Sequence, residues 1–284
     1  MLGLDTVKSV IATTESLIRM FKLLAHGRQV SRAKAVHIKR LFGFLADADV
    51  TTGRTPRDDI HSLQLFRNWL LHHFRYDRTI TYTDQLMPPD LSKHLCTIGG
   101  PVDHPHTRYA LGYDYSGERW NQVLPFFFPL TKPVSYKRPV LRLWEGESWP
   151  VRKWFISDRH GRPQFIPASD RNGYLNKDYL MLLVVPNTFT EEAFYSGQKH
   201  MVIAATHGLA QLAVKDVLDN DAILKELIEV RERSECFQAI IEVTASLTGD
   251  GRSYIPSDYA IAACEPLDVG EFVKFVRFGD WLRL

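Results

Sequence analysis

Two adjacent glycines begin the stretch of sequence that is best suited to ligand binding. Gly99 and Gly100 follow a short apolar segment, 94–98, that is typical of a buried strand, and a long polar loop comes next. Glycine lets the backbone approach a ligand closely, and backbone N–H groups at a strand-to-helix turn bind anions. A tight turn without a ligand is the alternative. The candidate ligand-binding residues of this glycine loop are Gly99, Gly100, Pro101, Asp103, His104 and Thr107.

A second candidate site, Thr206, His207 and Gly208, follows the apolar run 200–205 in the same way. It has too few glycines for a dinucleotide-binding fingerprint and no lysine for a phosphate-binding P-loop. His207 either contacts a ligand or caps the helix that starts at this point, and close helix packing also explains Gly208. The position after a buried strand predicts that these residues contact the same ligand as the glycine loop.

Asn187 is the third candidate, because it follows the continuous apolar run 179–185. Such a run is typical of a strand that is buried on both faces of a sheet. In a parallel sheet, Asn187 would lie at the same edge as the other two sites, where open α/β sheets bind their ligands. A turn stabilised by the asparagine side chain is an equally good explanation.

No complete catalytic motif is present, so the sequence leaves the catalytic residues unknown. Cleavage of an N-glycosidic bond needs a carboxylate that attacks or stabilises an oxocarbenium-like centre. The candidate carboxylates are Asp103, Asp178 and Glu242. Asp103, His104 and His106 lie close together, but no CxxC or HExxH pattern accompanies them. We therefore expect no metal and no other cofactor.

Residues 1–90 are predicted to form an N-terminal helical region. Apolar residues recur there every three or four positions, which is typical of amphipathic helices, and Thr55 followed by Pro56 is the clearest helix start. The helices are expected near 5–25, 31–46 and 56–75. The residues expected in their core are Leu17, Phe21, Leu41, Phe66 and Leu70.

Residues 91–284 are predicted to form a Rossmann-like α/β domain with a mainly parallel sheet. The expected strands lie near 94–98, 179–185, 200–205 and 236–243. A glycine turn and helices separate the last two strands, which is the pattern of a βαβ unit with parallel strands. The stretch of about 120–175 is expected to be a β-rich insertion, with a hairpin around 145–147 between arms near 140–144 and 151–156.

The composition favours a soluble chain in the cytoplasm. The 284 residues carry a net charge of +2, so nothing indicates nucleic-acid binding. The three cysteines are far apart, which argues against a disulfide framework and favours a reducing compartment. The sequence shows no signal peptide and no apolar window that is long enough for a membrane span, so we expect no association with a membrane.

Four segments resemble an uncharacterised bacterial α/β domain. They are GGPVDHPHT (99–107), DYLMLLVVPNTF (178–189), MVIAATHGLAQLA (201–213) and FQAIIEV (237–243). The patterns of that domain for the first three are GGPxxNxxT, DYxLIxxxPNPF and GxHGxGT. His104 or Pro105 stands near the asparagine of the first pattern, and Ala210 and Gln211 replace the Gly-Thr pair of the third. More broadly, the chain is similar to the SLOG, TIR and nucleoside deoxyribosyltransferase group of Rossmann-like domains, which bind or cleave nucleotide derivatives and occur in bacterial immune systems.

The loops and the resemblance together predict a domain that binds and senses a small anionic, nucleotide-derived ligand. The resemblance implies a role in bacterial defence, including antiviral immunity, or in signalling. The helical region is expected to transmit the signal, or to assemble the protein as a homo-oligomer or with a partner protein. An enzyme that cleaves the N-glycosidic bond of a nucleotide or nucleoside is one alternative, and a non-catalytic scaffold is the other.

Overall fold

A computed structural model describes residues 32–52, 57–82, 91–102, 104–114, 118–119, 121, 123–130, 140–142, 148–150, 154–276 and 278. The helices are α1 (32–42), α2 (Arg57–Phe74), α3 (Pro105–Ala110), α4 (Glu191–Tyr195), α5 (Gly208–Leu212), α6 (Val214–Leu218), α7 (Asp221–Arg231) and α8 (Val269–Val273), and a 3₁₀ turn, Gly43–Ala46, follows α1. The strands are β1 (Asp49–Thr52), β2 (Thr81–Tyr82), β3 (Leu95–Ile98), β4 (Phe126–Phe127), β5 (Val140–Arg142), β6 (Ser148–Pro150), β7 (Ile156–Asp158), β8 (Pro163–Phe165), β9 (Ala168–Ser169), β10 (Leu175–Pro186), β11 (Lys199–Ala205), β12 (Phe237–Leu247) and β13 (Tyr254–Pro266). Within the described residues, no helix combines the length and the apolar character that a membrane crossing requires.

One mixed β-sheet organises the fold. Its strand order is β13-β12-β10-β11-β3-β1-β2, and β9 pairs with the start of β10. The pairs β11–β3, β3–β1 and β1–β2 are parallel, whereas β10 is antiparallel to both β11 and β12, and β12 is antiparallel to β13. The four strands that the sequence predicts therefore share one sheet, and a mixed α/β fold is confirmed.

The expectation of a mainly parallel sheet is wrong for the half of the sheet that contains β10, β12 and β13. Strands β11 and β12 run in the same direction, as the βαβ pattern predicts, but β10 lies between them and runs the opposite way. Residues 187–198 join β10 to β11, and residues 248–253 join β12 to β13. The six-residue connection between β12 and β13 favours an antiparallel pair, because a parallel return needs a crossover of about a dozen residues or more.

Each face of the sheet has its own core. On one face, termed the helical face, α1, α2, α5, α6 and α7 pack against alternate residues of β10 such as Leu180 and Leu182. On the other, termed the mixed face, Met181 and Leu183 pack against residues from α3, α8 and the three-stranded sheet β4-β7-β8. Successive side chains of a strand point to opposite faces, so a strand covered on both sides is apolar throughout.

The described part of the N-terminal region is not entirely helical. Helices α1 and α2 match two of the three expected helices, and the helix expected near 5–25, with Leu17 and Phe21, lies outside the described residues. The core residues that are buried as predicted are Leu41, Phe66 and Leu70. Strands β1 and β2 were not predicted from the sequence, and they extend the main sheet beyond β3.

Helix α2 packs directly on α5 and α6, so residues on both sides of position 90 contribute to one core. Trp69 Nε1 donates a hydrogen bond to Asp219 Oδ1 over 3.0 Å, and His73 Nε2 lies 3.0 Å from the same oxygen. Phe66 stacks on Trp69 with 5.8 Å between the ring centroids. A domain boundary near residue 90 stays a prediction, but the packing across it is continuous.

The stretch predicted as a β-rich insertion contains the short strands β4 to β9. The predicted hairpin is present as the antiparallel pair β5–β6. Its second arm is Ser148–Pro150 and not the segment near 151–156, so this strand begins three residues earlier than the sequence suggested.

Candidate functional site

The glycine loop and the second candidate site meet at one edge of the main sheet. They follow β3 and β11, which are parallel neighbours, so both loops leave the sheet at the same end. Between them lies a cavity of about 150 Å³. All three residues of the second site and the first three candidates of the glycine loop line it. The lining residues within the described part of the chain are Gly99, Gly100, Pro101, Val102, Phe128, Trp154, Ala205, Thr206, His207, Gly208 and Gln211.

The chain leaves β3 and β11 toward opposite faces of the sheet. Helix α3 follows β3 and contributes Ala110 to the core of the mixed face. Helix α5 lies on the helical face, where Ala210 and the adjoining Ala213 are buried. Two neighbouring connections that diverge in this way open a crevice, and ligands of open α/β sheets bind in such crevices. The cavity lies at this point of divergence.

The two glycines of the loop have different structural roles. Gly99 has φ +132°, a conformation that other residues rarely adopt, and its N–H donates to Ile203 O over 2.9 Å. At Gly100 a Cβ atom would meet nothing within 4 Å. The Arg108 guanidinium secures the loop by donating to Pro101 O and Val102 O over 2.9 and 3.1 Å. The fold therefore requires glycine at position 99, whereas the space in front of Gly100 is open.

Asp178, a fully buried residue of β10, holds the second site in place. Its Oδ1 atom accepts hydrogen bonds from Thr206 Oγ1 and, over 3.0 Å, from His207 Nδ1. Its Oδ2 atom accepts from the Ala210 N–H over 2.8 Å. Because the carboxylate can only accept, His207 Nδ1 must carry a hydrogen. The network fixes the orientation of the His207 ring beside the cavity and satisfies one backbone donor in the first turn of α5.

Gln211 is a lining residue that the sequence did not identify as part of a site. It lies four residues after His207 on α5, and residues at this spacing share a helix face. Its side chain is buried, and Nε2 makes no hydrogen bond within the described residues. The four-residue spacing from His207 was the one signal in the sequence that could have identified Gln211. In the comparison with the bacterial α/β domain, Gln211 was noted only because it and Ala210 replace the Gly-Thr pair.

Two aromatic residues complete the cavity wall. Phe128 follows β4, and Trp154 precedes β7. Both come from the stretch that the sequence marked as an insertion without assigning it a role in the site. The insertion therefore contributes directly to the pocket, and aromatic walls of this kind bind planar ligand groups.

His104 and Thr107 are buried beneath the glycine loop and are not part of the cavity lining. His104 caps α3, because its Nδ1 atom accepts a hydrogen bond from the Thr107 N–H over 3.4 Å. Burial lowers the pKa of His104 to about 3, so the ring is neutral, and Nε2 donates to Thr51 Oγ1 over 3.3 Å. Both residues support the loop from below. Asp103 lies outside the described residues.

His104 belongs to a buried histidine cluster with His106 and His200. His200 Nε2 lies 3.0 Å from Thr97 Oγ1, and the ring of Phe189 packs against both His106 and His200. Burial lowers the pKa of His106 to about 4 and that of His200 well below its ordinary value. In the described parts of the chain, no three or more histidine, cysteine or carboxylate side chains are grouped so that they could hold a metal ion.

Asn187 does not reach the cavity, and the expectation that it would is wrong. Because β10 is antiparallel to β11, its last residue, Pro186, pairs with Lys199 at the start of β11. Asn187 therefore lies at the opposite edge of the sheet. Its Nδ2 atom donates to Leu91 O and Lys93 O over 2.8 and 2.6 Å, and its Oδ1 atom accepts from the Phe189 N–H. This is the turn-stabilising role that the sequence left as an alternative.

The described candidate carboxylates do not line the cavity. Both oxygens of Asp178 accept hydrogen bonds from the protein itself. Glu242 lies on the mixed face, where Tyr179 Oη donates to Oε2 over 3.0 Å and Lys177 Nζ lies 2.8 Å from Oε1. Neither group is placed to attack a sugar carbon in the cavity.

Comparisons of the chain with protein-family models, with curated proteins and with solved structures find no match. The resemblance of the four segments to the SLOG, TIR and nucleoside deoxyribosyltransferase group therefore stays a prediction.

Proposed function

We propose that the chain is a sensor that binds a small anionic, nucleotide-derived ligand in the cavity between the glycine loop and α5. The observation that carries this proposal is the meeting of loops 99–102 and 205–208 where the connections of β3 and β11 diverge. This is the position at which Rossmann-like sheets bind nucleotides. The position of the cavity supports the Rossmann-like interpretation for the half of the sheet that contains the parallel strands β11, β3, β1 and β2.

The polar character of the lining fits a ligand that carries acceptor oxygens. Within the described residues, no carboxylate lines the cavity, whereas His207 contributes an oriented imidazole ring and Gln211 is a further polar lining residue. The volume of about 150 Å³ lies below the roughly 300–1,000 Å³ of pockets that enclose a whole drug-sized molecule. One group of a nucleotide fits inside, and the remainder lies at the mouth.

The contact between α2 and α5 gives the sensor a physical route to the N-terminal region. Helix α5 carries His207 at its start and Gln211 in its last turn, and α2 packs on it directly. A ligand that shifts α5 therefore changes the surface against which α2 packs. The role of the N-terminal helices in transmitting a signal or assembling an oligomer is part of this proposal.

Calorimetric titration tests the proposal with a panel of cyclic nucleotides, NAD and ADP-ribose derivatives, after native mass spectrometry has shown whether a ligand is retained on purification. Gly100→Val should abolish binding, because the open space in front of Gly100 lets the side chain enter the cavity without a clash inside the protein. His207→Ala should weaken binding by only about 0.5–1.5 kcal/mol, the worth of one uncharged hydrogen bond.

Gly249→Val is the matched control, since a Cβ atom at Gly249 also meets nothing within 4 Å and Gly249 is not a lining residue. It should bind like the unmodified protein. Absence of binding by the entire panel, with no retained ligand, would support the scaffold alternative instead.

Asp178 and His207 favour a second candidate, an enzyme that acts on the same ligand. A carboxylate that fixes an imidazole through Nδ1 is the arrangement by which histidine is oriented for proton transfer. Cleavage of an N-glycosidic bond by this enzyme has less support, because neither Asp178 nor Glu242 faces the cavity. Chromatography of each panel member after incubation with the protein and with His207→Gln tests this candidate, and conversion by the unmodified protein alone would favour it.

A further inference from the structure

Strand β13 forms one edge of the main sheet and is the longest strand that the structure describes. It has 13 residues, and within the described part of the chain only β12 pairs with it. The outer side of an edge strand presents backbone N–H and C=O groups that can pair with a further strand. Strand β2, at the other end of the sheet, has only 2 residues. The sheet therefore has one long edge that a segment of another chain can extend.

The register with β12 divides the side chains of β13 between the two faces of the sheet, because paired residues of neighbouring strands lie on the same face. On the helical face, Tyr259, Ile261 and Cys264 pack partly buried against the core. Ala262 has no partner in β12, since the register shifts there by one residue. Because of this shift, both carboxylates of the strand lie on the mixed face. The residues of β13 on that face, from 258 to 265, are Asp258, Ala260, Ala263 and Glu265.

The two carboxylates give this edge a net negative charge. Asp258 and Glu265 are exposed, and neither forms an ion pair within the described residues. On the helical face, Tyr259 Oη lies 3.4 Å from Asp216 Oδ2, and Lys215 Nζ lies 3.4 Å from Oδ1 of the same carboxylate. Glu226 and Arg233, one of each charge, lie beside Cys264. The charges on the helical face thus balance, whereas those of Asp258 and Glu265 do not.

The two carboxylates disfavour pairing of β13 with a second copy of itself. Two edges related by a two-fold axis would run antiparallel. Centred on the uncharged stretch 259–264, this pairing would place Asp258 of one copy opposite Glu265 of the other. Like charges directly opposite each other destabilise a strand pair, whereas opposite charges stabilise it. A strand with basic side chains at these two positions would therefore fit better, and the small side chains of Ala260 and Ala263 leave room beside them.

We propose that β13 pairs with an extended segment of a partner protein whose side chains are alternately apolar and basic. On the helical face, the apolar side chains of this segment lie against Tyr259, Ile261 and Cys264. On the mixed face, its lysines or arginines lie against Asp258 and Glu265. Within the described residues, no part of β13 lines the cavity, so this proposal does not depend on the proposed function.

The probe for this surface is a fluorescein-labelled peptide in which valine and lysine alternate, and fluorescence anisotropy measures its binding to the full chain. A peptide with glutamate in place of each lysine tests the charge. A peptide of the same composition with all lysines grouped at one end tests the alternation. The alternating lysine peptide should bind best, and added salt should weaken its binding. Asp258→Asn combined with Glu265→Gln should weaken it roughly 2- to 30-fold, the combined effect of two cross-strand charge pairs.

Asp258→Lys combined with Glu265→Lys should reverse the preference, so that the glutamate peptide binds better than the lysine peptide. Asp77→Lys combined with Glu118→Lys makes the same change in net charge at exposed positions outside β13, and this control should bind the lysine peptide like the unmodified chain. Absence of binding by the alternating lysine peptide, equal binding of all three peptides, or binding that neither β13 variant changes overturns the proposal. Sedimentation as a dimer that Asp258→Asn with Glu265→Gln makes tighter would assign this edge to a second copy and also overturn it.

Discussion

Asp178 Oδ1 and His207 Nδ1 lie 3.0 Å apart, and their contact links the antiparallel strands β10 and β11. Asp178 lies near the start of β10, and His207 follows the end of β11. Since β10 runs against β11, its Leu180 pairs with Ala205, the last residue of β11. The reversal of β10 that takes Asn187 away from the cavity therefore brings Asp178 next to His207, which lines the cavity.

Asp178→Asn should destabilise the protein by about 2–3 kcal/mol. The carboxylate accepts from three donors, on Thr206, His207 and Ala210, and a carboxamide presents N–H groups to at least one of them, which leaves a buried donor unpaired. Urea unfolding monitored by circular dichroism measures the loss. Asp258→Asn, at an exposed position of β13, should change stability by less than about 0.5 kcal/mol. Equal effects of both variants would contradict a structural role for the Asp178 network.

The sequence predicted those features of the fold and site that depend on local pattern. The apolar runs in 179–185 and 200–205 are buried strands because each is covered on both faces. The glycine loop and the second site meet because parallel neighbouring strands end at the same edge. These inferences need only the order of residues along the chain and the direction of two strands.

The features that the sequence did not predict depend on strand order and on distant packing. An apolar run does not reveal the direction of its strand, so Asn187 was placed at the wrong edge and Asp178 was considered only as a possible nucleophile. Trp154 comes from a segment far from α5 in sequence, and no local pattern links it to Gln211. Strands β1 and β2 are too short, at four and two residues, to show a periodicity.

The buried histidine cluster should make the protein less stable in acid. Burial lowers the pKa of His104 to about 3 and that of His106 to about 4. The unfolded chain, with ordinary values near 6.5, therefore takes up protons first as the pH falls. Stability is fully present above about pH 6.5 and is lost progressively toward pH 4, by up to about 1.4 kcal/mol per pH unit for each histidine.

Urea unfolding between pH 5 and 7 measures this dependence in a range where most carboxylates stay ionised. His200→Gln removes one histidine whose pKa is also lowered, so the slope of stability against pH should fall. His160→Gln replaces an exposed histidine and should leave the slope unchanged. A flat pH profile in the unmodified protein would show that the cluster is open to solvent.

Phe66→Ala should lower the free energy of unfolding by about 3–5 kcal/mol, the usual cost of deleting a fully buried aromatic side chain. Phe66 is 1% exposed and stacks on Trp69 in the core that α2 shares with α5 and α6. Leu71→Ala, on the same helix at 53% exposure, should cost less than about 1 kcal/mol. A loss below about 1 kcal/mol for Phe66→Ala would place this side chain at the surface.

Two buried glutamines should respond in opposite ways to replacement by methionine in the ligand-free protein. The Gln238 amide is fully engaged, because Nε2 donates to Phe126 O over 2.8 Å and Oε1 accepts from the Phe126 N–H over 3.0 Å. Gln238→Met leaves these backbone groups unpaired and should destabilise the protein by about 1–3 kcal/mol. Gln211→Met removes an amide nitrogen that is buried without a partner among the described residues, so it should stabilise the protein by about 1 kcal/mol. Urea unfolding of both variants measures the difference, and a loss of stability in Gln211→Met equal to that in Gln238→Met would mean that the Gln211 donor is already satisfied.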